Sequence, residues 1–249
     1  ARYVLVDTSL ILNPLLSLDE PSDLRAGTQG ADYVVLSHHD YLAAAGALAE
    51  HRRAQGMQVK VVSSTEIFDE FNFGLFQREA IAKFVHHIYH DWSPRPAYLV
   101  LMGDETWDYR GKYTGVREPS LLPTLYYVAR RRGYSPSDFL LSLVDGDDLL
   151  ADLAVGRLAV DSPEEANATV AKIIRYDEGP APGDWRSRAV YAANWHAKSE
   201  FTRPSDSLAA QYTEPLGMQS IRAYNPDESP VPNLTGKFFL DALNAGALV

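Results

Sequence analysis

The sequence contains no cysteine. Disulfides, thiolate zinc sites and a cysteine nucleophile are thereby excluded from these residues, whereas the compartment is left open. Long apolar runs are missing too. The purely apolar stretches are as short as Tyr98–Met102, against the ~18 residues a membrane span needs. There is no basic excess: 23 Lys and Arg face 33 Asp and Glu, a formal charge of −10, which argues against a nucleic-acid partner because phosphate binding needs a basic face. No Gly-x-Ser-x-Gly elbow and no Walker loop appear. Nor does a signal peptide open the chain, since Ala1-Arg2-Tyr3 leads directly into a strand-like run.

What is there suits a globular α/β protein. The 249 residues are 46% hydrophobic and 22% charged, enough for one large or two small cores. Tyr3-Val4-Leu5-Val6 reads as a strand and Pro14 to Gly30 as a loop, so residues 1–30 are expected to be a strand and connector from a preceding region. From Ala31 strands and helices alternate. Strands are predicted at Tyr33–Leu36, Val59–Val62, Tyr98–Met102 and Leu153–Leu158. A helix is predicted over Asp40–Gln55, ended by Gly56. Ile81, Phe84, Val85 and Ile88 recur at helical spacing and mark a second helix. Ser162-Pro163-Glu164-Glu165 has the Ser, Pro and Glu of a helix start with a capping box. This rhythm predicts a mostly parallel sheet with right-handed crossovers. Gly103 to Gly133 is expected to be a long irregular loop.

Gly179-Pro180-Ala181-Pro182-Gly183 is the best internal boundary, separating a first α/β subdomain (31–178) from a second (179–249). The second should contain strands Ala189–Ala193 and Gln219–Ala223 with helices near Ser205–Glu214 and Thr235–Ala245. A further strand starts at Ala247, and the apolar run stops at Val249, so we expect a segment of a longer polypeptide.

Several residue groups have chemistry available. Asp145-Gly146-Asp147-Asp148-Leu149-Leu150-Ala151-Asp152 places four carboxylates in eight residues, which can wrap a hard cation or form a solvated turn. Gly103-Asp104-Glu105 follows a predicted parallel strand, at the end where α/β sheets bind ligands. It would meet the Asp145 loop if their strands were neighbours. His86, His87 and His90 share one helix, but no third zinc ligand is evident. His38-His39 precede a helix and could serve a loop or cap. Arg130-Arg131-Arg132 reads as a solvated loop, and the two sequons at Asn167 and Asn233 are too short to weigh.

Five segments in order resemble the gingipain family of cysteine peptidases over about residues 31–249: Ala31-Asp32-Tyr33-Val34-Val35-Leu36-Ser37-His38, Gly56-Met57-Gln58-Val59-Lys60-Val61-Val62, Tyr98-Leu99-Val100-Leu101-Met102-Gly103-Asp104, Asp152-Leu153-Ala154-Val155-Gly156-Arg157-Leu158 and Asp241-Ala242-Leu243-Asn244-Ala245-Gly246-Ala247-Leu248-Val249. The resemblance implies two α/β subdomains, the second caspase-like and incomplete here. It implies a catalytic Gly-His-Gly and a catalytic Cys lying beyond Val249, and therefore a fragment inactive alone. It further implies a structural Ca²⁺ with Asp104 as first ligand, backbone carbonyls of Asp145 and Leu150, the carboxylate of Asp148, and Asp152 in place of a Glu. Ser205-Asp206 matches the pair that puts an acid under the specificity pocket of arginine-specific members. Asp206 read as a helix N-cap is the alternative. Asn194-Trp195-His196 occupies the stretch where members carry a Glu, leaving His196 as its replacement. Protein or peptide substrates and a secreted or cell-surface location are implied in the same way. Two other readings stay open: a non-catalytic or sortase-like relative in a bacterial surface or secretion assembly, and a flavodoxin-like binding module. The latter should place a phosphate loop after its first strand, where Ser37-His38-His39-Asp40 offers no Gly.

Overall fold

The computed structural model describes residues 21–26, 29–108, 112, 113, 115, 121–130, 133–179, 182–193, 201–224, 234–244 and 246. The expected strands at Tyr3–Val6 and from Ala247 lie outside the described residues. The chain divides into two units, Ala1–Glu178 and Gly179–Val249.

The first unit is built on β1 (Tyr33–Ser37), β2 (Val59–Ser63), β3 (Tyr98–Met102) and β6 (Ala154–Leu158), joined in the order β2-β1-β3-β6 with every pair parallel. β1 is interior, and all five of its residues are buried, the expected state of a strand covered on both faces. Side chains alternate across it. Val34 and Leu36 join Val62, Ile67, Ile81, Phe84, Ile88 and Leu101 on one face. Tyr33 and Val35 join Ala44, Ala45, Leu48, Met102, Ala166 and Val170 on the other. The first layer comes from α2 (Ser64–Asn72) and α3 (Arg78–Asp91), the second from α1 (Leu42–Ala54) and α4 (Pro163–Glu178). Asp177 of α4 accepts hydrogen bonds from Arg52 (2.5 Å) and His51 (3.0 Å) of α1, tying the two helices of that layer.

Two elements were not anticipated. α2 begins with no intervening loop after β2: Ser63 ends the strand and caps the helix, and its own amide donates to the Glu66 carboxylate at 2.8 Å. This is the reciprocal capping box, written in the sequence as Ser63-Ser64-Thr65-Glu66. The other is a hairpin that begins inside the segment expected to be irregular and runs past its end, β4 (Tyr126–Ala129) against β5 (Gly133–Pro136), antiparallel. The helix expected from Asp40 starts as a 3-10 turn, His39–Tyr41, before α1 proper.

Before β1 the chain passes very close to the segment that ends α3. The Ala31 amide donates to the Pro94 carbonyl (3.1 Å), and a Cβ on Gly30 would stand 2.1 Å from the Ser93 carbonyl oxygen. Glycine is the residue that permits this approach.

The second unit pairs β7 (Arg188–Ala193) and β8 (Gln219–Tyr224) in parallel. α5 (Thr202–Leu208) continues through a wider π-type turn, Ala209–Thr213, and a 3-10 turn, Glu214–Leu216. α6 spans Leu234–Asn244. Among the described residues its buried apolar cluster is small: Val190, Ala223 and Ala242, with Ile221 and Phe239 against them.

Candidate functional site

The loops that leave parallel strands gather at the carboxyl edge of a sheet, where α/β proteins place their chemistry. In the first unit these are His38 to Asp40 after β1, Gly103 to Glu105 after β3, and Val160-Asp161 after β6. Gly103 adopts φ +145°, and a Cβ there would press on Leu122 at 3.3 Å. The Asp104 carbonyl accepts the amides of Leu121 (3.1 Å) and Leu122 (3.0 Å), which pins the returning chain over the end of β3.

Arg157 organises this edge from within β6. Its guanidinium grips Asp138 through two bonds of 2.8 Å and also donates to the carbonyls of Gly103 (2.7 Å) and Leu122 (2.9 Å). Burial pushes the Asp138 carboxyl up, but bonds from Arg157 and Thr124 outweigh it and hold it below the ordinary carboxylate range. Glu105 accepts from the Tyr126 hydroxyl and the Thr124 amide. Burial and that carboxylate together raise the Tyr126 hydroxyl, against Arg78 stacked 4.5 Å from its ring. A cleft of ≈ 280 Å³ opens beside this network, walled by Arg78, Glu105, Trp107 and Tyr126. Sequence reasoning missed the network. The available signal was an arginine inside an otherwise apolar strand.

His38, His39 and Asp40 crowd the exit of β1. The two imidazoles lie 4.0 Å apart, centre to centre. Burial, then His39, lowers the His38 imidazole, and Asp40 opposes the shift. His38 serves as the cap that accepts the Asp40 amide at 3.3 Å. On α3, His90 reaches the Val144 carbonyl (2.9 Å) and His87 pairs with Asp91 (2.7 Å), so these two are engaged in holding structure.

The acids expected to share one Ca²⁺ are not brought together. β3 and β6 are indeed neighbours, but they run parallel, with Tyr98 opposite Ala154 and Met102 opposite Leu158. Asp104, after β3, therefore stands at the carboxyl edge, where its amide donates to the Val160 carbonyl. Asp152, before β6, stands at the amino edge, where its amide donates to Ser142. Roughly 13 Å of paired strand separates the two levels, and no ion bridges that span at the 2.3–2.6 Å of a calcium–oxygen bond. Within the loop, Asp152 accepts the amides of Val144 (2.8 Å) and Asp145 (2.9 Å), and these bonds hold its carboxyl below the ordinary range. Asp148 accepts the Leu150 amide at 2.8 Å, an Asx-type turn. Asp145, Asp148 and Leu150 are exposed.

In the second unit Asp206 lies within α5, whose N-cap is Phe201; the N-cap alternative for Asp206 is corrected accordingly. Arg222 and Tyr224, two residues apart on β8 and hence on one face, both donate to its Oδ1, at 2.7 and 2.9 Å. These bonds keep the Asp206 carboxyl below its ordinary value. His196 lies outside the described residues.

Two α/β units in tandem, each on parallel strands, place the chain among mostly parallel α/β proteins. The chain belongs to peptidase family C25, whose profile matches residues 26–249. Among solved structures it is similar to the Arg-specific cysteine proteinase gingipain R: 17% identity and a TM-score of 0.66 over 89% of this chain and 46% of that one. The complex of pro- and mature domains of RgpB from Porphyromonas gingivalis gives 18% identity and a TM-score of 0.65, over 86% of this chain and 45% of that one. Dimeric latent PorU from the same organism gives 27% identity and a TM-score of 0.53, over 61% of this chain and 16% of that one. The chain thus spans less than half the length of each. Comparison with curated protein sequences gives no match. No helix among the described residues is long and apolar enough to cross a membrane.

Proposed function

We propose that this chain is the N-terminal portion of the catalytic module of a secreted or cell-surface cysteine endopeptidase that cleaves protein or peptide substrates. The observation that carries the reading is the family C25 match across residues 26–249. Because the 249 residues contain no cysteine, the thiolate that attacks the scissile carbonyl must come, on this reading, from outside them, and the resemblance puts the His that protonates the leaving amine there with it. The test is to extend the chain along its parent reading frame and assay peptide hydrolysis. The extended protein should be active and lost to thiol alkylation, while residues 1–249 alone are inactive. An extension without a His and a Cys, or one indifferent to alkylation, overturns the reading. That outcome would favour the second reading, a non-catalytic relative of the family.

Two finer assignments accompany it. Asp206 is the acid beneath a pocket for a basic side chain; Arg222 already satisfies its carboxylate, so a substrate guanidinium must share or displace that bond. In the active protein Asp206→Asn should raise KM for arginine substrates more than it lowers kcat, and an unchanged preference refutes the role. Calcium is held by the Asp145–Asp152 loop alone, through the Asp148 and Asp152 carboxylates and the Asp145 and Leu150 carbonyls, with Asp104 outside the set. Two carboxylates on an exposed loop make a weak site, on the order of 0.1–1 mM. Isothermal titration should show this heat and lose it in Asp148→Ala; no heat at several millimolar calcium sinks the assignment.

A further inference from the structure

The carboxyl edge of the first sheet carries a group that the peptidase reading does not use. We propose that His38, His39 and Asp40 bind one divalent transition-metal ion, with zinc the best fit, where β1 passes into α1. The Asp40 carboxylate lies between the two imidazoles: one oxygen is 3.6 Å from His38 Nδ1 and the other 3.3 Å from His39 Nε2. One ligand atom from each of the three residues lies within 4.8 Å of the others, and among the described residues no other trio of His, Asp and Glu does so. Donors bound tetrahedrally to zinc at about 2.0–2.1 Å sit about 3.4 Å apart, so small side-chain rotations close the group on an ion.

The backbone explains how three consecutive residues converge. His38 is extended (φ −56°, ψ 144°), and the chain then turns sharply into the 3-10 segment His39–Tyr41. His38 is anchored, with its side chain 13% exposed and its ring 5.4 Å from that of Tyr41. His39 and Asp40 are open, at 52% and 58%, so an ion can enter and keep a water in its fourth position. The Nδ1 lone pair of His38 now receives only the long 3.3 Å bond from the Asp40 amide. Metal binding exchanges that bond, and the amide turns to solvent.

Charge favours a cation here. Asp40 follows β1, Asp104 follows β3 with its amide on the Val160 carbonyl (3.0 Å), Asp161 follows β6, and Glu165 lies in the first turn of α4, so four carboxylates come from the elements that leave this edge. Among the described residues none of the four is within ion-pair distance of a Lys or Arg. Two imidazoles with one carboxylate suit a borderline, nitrogen-preferring ion; calcium and magnesium prefer oxygen donors throughout.

The test is calorimetric titration of the 249-residue chain with zinc chloride, repeated with cobalt(II) to read the d–d absorption of a nitrogen-ligated site. Wild type should bind one ion that millimolar magnesium does not displace. His39→Ala should weaken binding at least about tenfold, and His39→Cys, which restores a zinc ligand, should recover it. The double variant His86→Ala/His90→Ala should bind as wild type does. Because His39 and Asp40 are exposed, melting temperatures report that the variants remain folded. No zinc heat in wild type, or wild-type affinity in both His39→Ala and Asp40→Ala, overturns the proposal.

Discussion

The first unit carries acidic side chains at both ends of one sheet. At the carboxyl edge, Glu105 and Asp138 hold the chain: one receives Tyr126 and Thr124, the other is gripped by the half-buried Arg157. At the amino edge, Asp152 ties the two ends of its loop through the Val144 and Asp145 amides, Asp148 holds the local Leu150 amide, and Asp145, Asp147 and Asp148 are exposed. An acid stabilises a fold where the structure supplies buried donors, whatever the number of carboxylates in the segment.

The comparison can be broken at its strong end first. Arg157→Ala removes four bonds, leaving Asp138 with the Thr124 hydroxyl and the Gly103 and Leu122 carbonyls without the guanidinium. Urea unfolding should show a loss toward the lower end of about 3–5 kcal/mol, since Asp138 keeps 26% of its side chain exposed. The pH dependence sharpens this. The folded Asp138 carboxyl lies below its unfolded value, so its contribution is complete above about pH 4 and is lost as pH falls through the folded pKa. In Arg157→Ala the acid limb of the stability curve should flatten; an unchanged limb would mean Asp138 is not the group that titrates.

At the amino edge the vulnerable point is backbone rather than acid. Gly30→Ala forces a methyl against the Ser93 carbonyl and should cost about 1–3 kcal/mol, read from the same denaturation curve. Smallest is Ser63→Ala, which removes the cap at the β2–α2 junction. It should cost about 0.5–2 kcal/mol, with Ser63→Asp recovering most of it. A loss from Ser63→Ala larger than that from Arg157→Ala would reverse the ranking of edge network over local cap.

Much of the first unit was legible in the residues. β1, β2, β3, β6, α3 and α4 lie where apolar runs, 3.6-residue spacing and the Ser162 start placed them, because each buries a continuous face and repetition makes the face visible. α2 has only nine residues and no loop before it; its capping box was present but follows a strand directly. The hairpin β4–β5 has few buried side chains to mark it. The site was less legible. Asp104 and the Asp145 loop were each recognised as acid-rich, yet strand polarity keeps them apart. Arg157 passed unremarked because its partners, Asp138, Gly103 and Leu122, are far from one another in sequence.

By itself the sequence determined the class of fold, through alternating strand and helix periods, and excluded a thiol nucleophile from these residues, through composition alone. It also determined local devices such as the turn that sets His38, His39 and Asp40 together, since neighbours along the chain need no long-range contact to meet. Only the tertiary structure decided which loops share an edge. That depends on strand order and direction, and every parallel crossover carries the chain from one end of the sheet back to the other before the next strand begins.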